Sequence, residues 1–405
     1  MERMLEYSPP LPIALDYARK DRGWTVEDGD GILLALQHRA RVRRIRLCVP
    51  HLHERKLFTA LEMEFPMAEY LYIEILSPTE MRPGLEIHHT FQAPRLSHLA
   101  LTSCSLLVAS PSLTTSAGLV TLSLMLLPSY HPYDLLQQLS LLSQLVVLRI
   151  ADWYASTLDL VWQQLDIPSI THLTLPNLRV FDFTGQSNFL ETFLPWMTTP
   201  LLEKLQITFI PDMDTPNPTY TLPCLLQSLS KEGVPSFGSA KLFFTVSEAT
   251  VWVYSQEGSR VYVFYLCIIT KGFGLQVSDM TEIFEDLSPA ISTVVDLTID
   301  FSGHYPSYGR PTPTQWHDLL GSFNHVKTLR VHGSLAENFS NCLLSDGEPI
   351  PGPEVLPELQ VLECPVGCDA SDTFATFVDV RKAAGYPISL ILVDPPGPSP
   401  ASTGL

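Results

Sequence analysis

Positive charge is scarce in this sequence. Its 405 residues hold 25 Lys and Arg against 43 Asp and Glu, a formal net charge of −18. Nucleic acid is bound through a Lys/Arg footprint that displaces counterions, so no nucleic-acid partner is expected, and an anionic membrane surface is disfavoured on the same ground. Charge of either sign is thin, at 17% of residues, whereas apolar residues make up 45%, enough to bury a large core. No stretch reaches about 18 consecutive uncharged apolar residues, so no spanning helix is expected. Met1 to Pro12 carries Glu2, Arg3 and Glu6 and lacks the apolar core of a secretory signal. Seven cysteines stand at 48, 104, 224, 267, 342, 364 and 368. An odd number without framework spacing points to reduced thiols and an intracellular protein, cytoplasmic or nuclear.

Catalytic signatures are also lacking. There is no G-x-S-x-G elbow, no G-x-x-x-x-G-K-[ST] loop and no H-E-x-x-H helix. His51 and His53, and the pair His88 and His89, have no cysteine or carboxylate at zinc-finger spacing and read as surface histidines. Cys364 and Cys368 form a lone C-x-x-x-C, short of the four ligands zinc normally takes. Gly272-Phe-Gly274 is too short for a phosphate loop, and Glu282, Glu285 and Asp286 read as the solvated flank of a helix. The expectation is therefore no enzyme, no metal and no cofactor.

What is present is a recurring apolar triplet, L-x-x-L-x-L in outline. It reads Leu96-Leu99-Leu101, Leu119-Leu122-Leu124, Leu145-Leu148-Ile150, Leu178-Phe181-Phe183 and Leu202-Leu205-Ile207. It returns as Val294-Leu297-Ile299, Val326-Leu329-Val331 and, more weakly, Leu359-Leu362-Cys364. Val42-Ile45-Leu47 and Ala68-Leu71-Ile73 extend the series toward the N-terminus. At this apolar content roughly a tenth of windows match by chance, so the spacing carries the weight. From last position to last position, Leu101 to Leu124 is 23 residues, Phe183 to Ile207 is 24 and Val331 to Cys364 is 33. The shorter steps match a leucine-rich repeat, one strand plus a helical or irregular return.

The last two triplet positions alternate as strand residues do, and the first belongs to the turn entering the strand. Ile170-Leu173-Leu175 also fits, but Leu175 and Phe183 are too close to be separate repeats. The strand is assigned to 178–183, with 170–175 as its lead-in. Helical stripes lie between triplets. Ser187 is positioned to cap a helix through Phe189, Leu190, Phe193 and Leu194. Residues 277–287, 314–323 and 369–384 have helical periodicity, and Gly385 stops the last. The middle departs from the pattern: Ala240–Phe244, Thr250–Tyr254 and Val261–Tyr265 read as strands, the last two as a hairpin.

The fold expected is α/β, a leucine-rich-repeat solenoid with irregular repeats of about 23–33 residues, a curved parallel sheet on the concave face and helices and loops on the convex face. Residues 1–30 form a lead-in or cap and 31–393 the array, with an irregular β-rich region at 236–270; the Pro-rich tail 394–405 is expected to be disordered. Triplet residues are core, so residues between them face the other way. The candidate protein-binding face is Arg44, Arg46, Tyr72, Glu74, His98, Arg149, Asp182, Lys204, Gln206, Asp296, Asp300, Arg330, His332 and Glu363.

The run Leu173-Thr-Leu-Pro-Asn-Leu-Arg-Val-Phe-Asp-Phe183 followed by Gly185, then Thr199-Pro-Leu-Leu-Glu-Lys-Leu205, resembles the F-box/leucine-rich-repeat family of mushroom-forming (basidiomycete) fungi. Ser239–Phe244 with Val251–Tyr254, Gln276–Ser278, Val326–Val331 and Leu356–Leu359 match in the same order. The resemblance implies the target-recognition part of a ubiquitin-ligase substrate receptor, a non-enzymatic scaffold. Family members usually begin with an F-box of the form L-P-x-x-x-L-x-x-I-F, and none is found here. A Skp-type adaptor and cullin are thus expected partners only if an F-box is encoded upstream. The alternatives are a free-standing interaction scaffold or decoy, and an enzyme with its site in the irregular middle, near Trp252 and Tyr262.

Overall fold

The computed structural model describes residues 11–18, 24–76, 91–102, 118–126, 132–152, 172–210, 237–255, 262–269, 273–302, 311–333, 339–340, 343, 355–366 and 371–393. His88, His89, Cys368 and the 394–405 tail lie outside them. The chain divides into two compact units, Met1–Gln206 and Ile207–Leu405.

In the first unit the strands are β1 (Ile13–Tyr17), β2 (Val42–Pro50), β3 (Tyr70–Leu76), β4 (His98–Thr102), β5 (Thr121–Leu126), β6 (Val147–Asp152), β7 (Leu173–Thr174), β8 (Val180–Gly185), β9 (Met197–Thr198) and β10 (Lys204–Phe209), the last running across the division. The sheet order is β1-β2-β3-β4-β5-β6-β8-β10, and every pair from β1 to β8 is parallel. Helices α1 (Val26–Gln37), α2 (Glu54–Leu61), α3 (Pro132–Leu139) and α4 (Ser187–Phe193) fill the returns. The strands come from the triplets, whose positions are all buried except the half-buried Leu202.

One backbone motif recurs along the rungs. The first triplet residue closes a turn: Leu96 N–H donates to Ala93 O, Leu145 to Leu142 O, Leu178 to Leu175 O. The next two N–H groups then converge on one carbonyl of the preceding rung. Ser97 and His98 donate to Glu69 O, Val120 and Thr121 to Ser97 O, and Val146 and Val147 to Val120 O. This spine satisfies the strand-entry amides and fixes register, so a triplet in sequence becomes a rung in space.

Two details differ from expectation. Ser187 is the first residue of α4 rather than its cap; Gln186 holds the cap position, without a side-chain cap bond. The lead-in Leu173–Thr174 is a separate short strand that pairs with β9, because Pro176 interrupts any continuation into β8.

The second unit contains β11 (Phe237–Phe244), β12 (Glu248–Ser255), β13 (Tyr262–Ile269), β14 (Asp296–Phe301), β15 (Thr328–Gly333), β16 (Val361–Pro365) and β17 (Ser389–Val393), with helices α5 (Phe273–Ile291), α6 (Pro313–Gly321) and α7 (Ser371–Ala383). Its order is β13-β12-β11-β14-β15-β16-β17. From β11 through β14 to β17 the pairs are parallel, whereas β11–β12 and β12–β13 are antiparallel. Because β11, not β13, pairs with β14, the chain leaving β13 must return over β12 and β11. Helix α5, 19 residues and about 28 Å long, packs on both and spans that return. Its stripe Val277, Met280, Ile283, Phe284 and Leu287 is fully buried.

Trp316 of α6 centres this core, edge-on to Phe244, Phe301 and Phe339 with ring centroids 5.7, 5.9 and 5.0 Å away. Thr312 and Gln315 form a capping box at the start of α6. At the exit of β15, Gly333 has φ +91, and a Cβ there would lie 2.0 Å from Phe301 O on the preceding strand. Only glycine fits so close to the neighbouring backbone. Entering β16, buried Leu356 adopts φ 51. Its turn is held by the buried Arg381 of α7, which donates to Val355 O (3.0 Å) and Pro357 O (3.4 Å) on either side. Burial lowers the Arg381 pKa from its ordinary value.

Candidate functional site

Strand alternation decides which side chains face away from the buried triplets, and lateral register decides which of them meet. All fourteen predicted face residues lie on strands, and each is half-buried or exposed. The structure gathers them into local groups.

The first group spans β1 to β4. Arg44 stands beside Tyr70 and Arg46 beside Tyr72 in register. Their guanidinium carbons lie over those rings, 4.5 and 5.7 Å from the centroids. His98 continues the row, its ring 6.1 Å from that of Tyr70. The Tyr72 hydroxyl donates to Glu74 Oε2 at 2.9 Å, and the Cys48 thiol donates to the same oxygen at 3.2 Å. Burial first, then the hydrogen bond to Glu74 and its charge, push the Tyr72 phenol well above its usual pKa. Arg46 also lies 3.8 Å from Asp16 on β1. Arg44 has no carboxylate partner among the described residues, so its guanidinium is held by the tyrosine and otherwise faces solvent.

A second group joins β6, β8 and β10. Arg149 Nε is 3.8 Å from Asp182 Oδ2. Burial raises the Asp182 carboxyl pKa, and the charges of Arg149 and Lys204 act against that rise. Lys204 and Gln206 stand half-buried on β10.

In the second unit Arg330 lies between two carboxylates, with Nε donating to Glu363 Oε2 at 2.9 Å and Nη1 3.9 Å from Asp296 Oδ1. Asp300 accepts from Lys241 Nζ at 2.8 Å, and His332 sits opposite Asp300 in register. Lys241 was not among the predicted face residues, nor were its neighbours Phe243, Trp252 and Tyr265. Trp252 is edge-on to Phe243 and Tyr265, with centroids 5.9 and 5.8 Å away, and Lys241 Nζ lies 6.0 Å from the Trp252 ring. The signal for them is the alternation of Ala240–Phe244 and Thr250–Tyr254, which puts Lys241, Phe243 and Trp252 on one face once β11 and β12 are paired.

The remaining motifs find structural roles. His51 Nδ1 is 2.8 Å from the buried Glu54, and His53 stacks on Trp24 at 5.6 Å. Cys48, Cys267 and Cys364 are buried thiols that form no disulfide among the described residues, and burial raises the Cys267 pKa. Gly274 lies within α5, and Glu282 and Glu285 are exposed on it. Among the described residues no three His, Cys, Asp or Glu side chains group as metal ligands, and no helix is long and apolar enough to cross a membrane.

No family model matches the chain, and no curated protein matches it. Among solved structures, the leucine-rich repeat-containing protein LegL7 from Legionella pneumophila is similar over 68% of this chain and 84% of its own, at 14% identity and a TM-score of 0.23. A likeness of that size adds nothing to the fold, which rests on the ladder of rungs itself. The F-box likeness rests on the sequence motifs alone.

Proposed function

We propose that this chain is a non-enzymatic protein-binding scaffold whose polar sheet face holds a protein target. The observation that carries this reading is the row Arg44, Arg46, Tyr70 and Tyr72. Two guanidiniums are stacked on two tyrosine rings in strand register, with their exposed edges toward solvent. Arg, Tyr and Trp dominate the energetics of protein interfaces, and side chains already held in place lose less entropy on binding. Trp252 with Phe243 and Tyr265 gives the second unit a comparable aromatic anchor. The array 31–393 supplies the binding surface in this reading, and 1–30 leads into it.

The test is affinity purification and crosslinking with the full chain beside R44A/R46A and W252A variants. A target captured by the parent chain should bind the double variant at least about tenfold more weakly, the loss of one to two interface anchors. Undiminished binding by both variants rejects the face. The finer reading, a substrate receptor of an F-box-type ubiquitin ligase, is supported by the sequence resemblance. It requires adaptor and cullin to co-purify with the natural full-length protein. Capture of target alone favours the free-standing scaffold.

A further inference from the structure

The first strand of the first unit and the last strand of the second are built differently. At β1 the register with β2 shifts between Ile13 and Ala14, Asp16 puts a charge in the strand, and Pro12 precedes it. Bulges, charges and prolines are the devices that stop an edge strand from accepting another. Within its own five residues β17 has none of these, and the charge and proline nearest to it, Asp394 and Pro395, follow the strand. Its sequence, Ser-Leu-Ile-Leu-Val, is uncharged, and its register with β16 is regular from Val361↔Ser389 to Pro365↔Val393.

Which backbone groups β17 leaves open follows from two hydrogen bonds. Ser389 N–H donates to Gln360 O at 2.8 Å, and Val366 N–H donates to Val393 O at 2.9 Å. Residues 389, 391 and 393 therefore turn their N–H and C=O groups toward β16. Leu390 and Leu392 turn theirs to the outer edge, where no further described strand pairs. Large apolar side chains are exposed around that edge: Leu392 at 50%, Ile391 at 43%, Val393 at 37%, with Val366 at 48% and Tyr386 at 44% beside them.

We propose that β17 pairs edge to edge with β17 of a second copy of this chain, antiparallel about a twofold axis at Ile391. Leu390 of one copy then faces Leu392 of the other, and each such pair exchanges both backbone bonds. The strand is self-complementary: every opposed pair in this register is apolar except Ser389 against Val393, and no charge is brought together although the chain as a whole is strongly acidic. A twofold contact uses the same strand from both copies, so pairing closes at two copies rather than growing into a fibre. A five-residue strand with Val366 and Tyr386 falls short of the roughly 800 Å² per partner of a standard interface, so the dimer is weak and concentration-dependent.

Sedimentation velocity on the full chain tests this over about 1–100 μM, the range for a weak dimer. The expected result is a shift from monomer to dimer across that range. L392P removes an N–H that points outward and leaves the ladder to β16 intact, and L392K places a charge on the edge; both should stay monomeric with an unchanged circular-dichroism spectrum. Hydrogen exchange at Leu390 and Leu392 should be fast at the lowest concentration and slow at the highest. A monomer at every concentration overturns the proposal, as does a dimer that survives both substitutions. Slow exchange at Leu390 and Leu392 in the dilute monomer also overturns it, because the edge is then covered within one chain.

Discussion

Between β2 and β6 all strands run the same way, and each side chain on the polar face meets a neighbour one repeat away in sequence. Between β11 and β13 the strands alternate in direction, and the neighbours belong to successive strands of a meander. Both regions sort apolar from polar residues by the same alternation, yet they are filled differently. The rungs spread their core over many leucines, such as Leu99, Leu122 and Leu148, and their polar face carries arginine, tyrosine and carboxylate. The meander relies on aromatic rings: Phe244 on Trp316 in the core, and Trp252 between Phe243 and Tyr265 on the other face. A parallel rung gains its partners from a register shared with the rung before it, so interchangeable aliphatic residues suffice. The meander has no repeat to lean on, and a few large rings hold its place.

Trp316→Ala presses hardest on that contrast. Removing a fully buried Trp that supports β11 and β14 should cost about 3–5 kcal/mol, against about 2–4 for Leu148→Ala in a rung. Chemical denaturation of both variants measures the difference, and equal losses would erase the distinction between concentrated and distributed cores. Gly333→Ala should cost about 2–4 kcal/mol, combining a positive φ with a Cβ driven into the Phe301 carbonyl. Gly118, whose Cβ would meet nothing within 4 Å, is the control and should lose little when changed to Ala.

Helix α5, which the meander makes necessary, carries the next two tests. Gln276 is wholly buried, and neither amide atom has a hydrogen-bond partner among the described residues. Gln276→Met should therefore stabilise by about 1–2 kcal/mol, read as a higher denaturation midpoint. A loss instead would show that the amide is satisfied. The smallest effect belongs to Asp279, whose carboxyl is pushed up to about 7 by burial, with the charge of Glu282 adding. The folded chain then keeps a proton that the unfolded chain loses near pH 4, so this group lowers stability as pH rises from about 4 through about 7. Asp279→Asn should flatten that slope and gain up to about 1 kcal/mol at pH 8, allowing for partial solvent screening; thermal melts across pH 5–8 report it.

Much of the rung architecture was legible because a triplet is a local pattern. Val42-Ile45-Leu47 already states which residues are core, and the turn closed by Leu96 or Leu145 needs only four residues of chain. The polar face was legible by alternation for the same reason. Pairing was not. That Arg44 lies on Tyr70, or that Asp300 takes Lys241 from 59 residues earlier, depends on register across long returns. The meander's spatial order was hidden too, since Ala240–Phe244 and Val261–Tyr265 look equally fit to sit beside Val294–Ile299. Ser187 misled because a cap is defined by backbone geometry one residue away, at Gln186.

The reversed order of the meander also sets a timetable for folding. A rung can dock as soon as some two dozen residues have been added to the rung before it, so the parallel ladder can zip from neighbour to neighbour with short loop closures. β14 has to find β11 across two other strands and α5, a separation such as Lys241 to Thr298. The closure entropy of that longer loop comes due before its contacts form. Joining β14 to β11 is then the longest closure within the second unit's ladder, at an added cost of about 0.6 kcal/mol for each doubling of loop length.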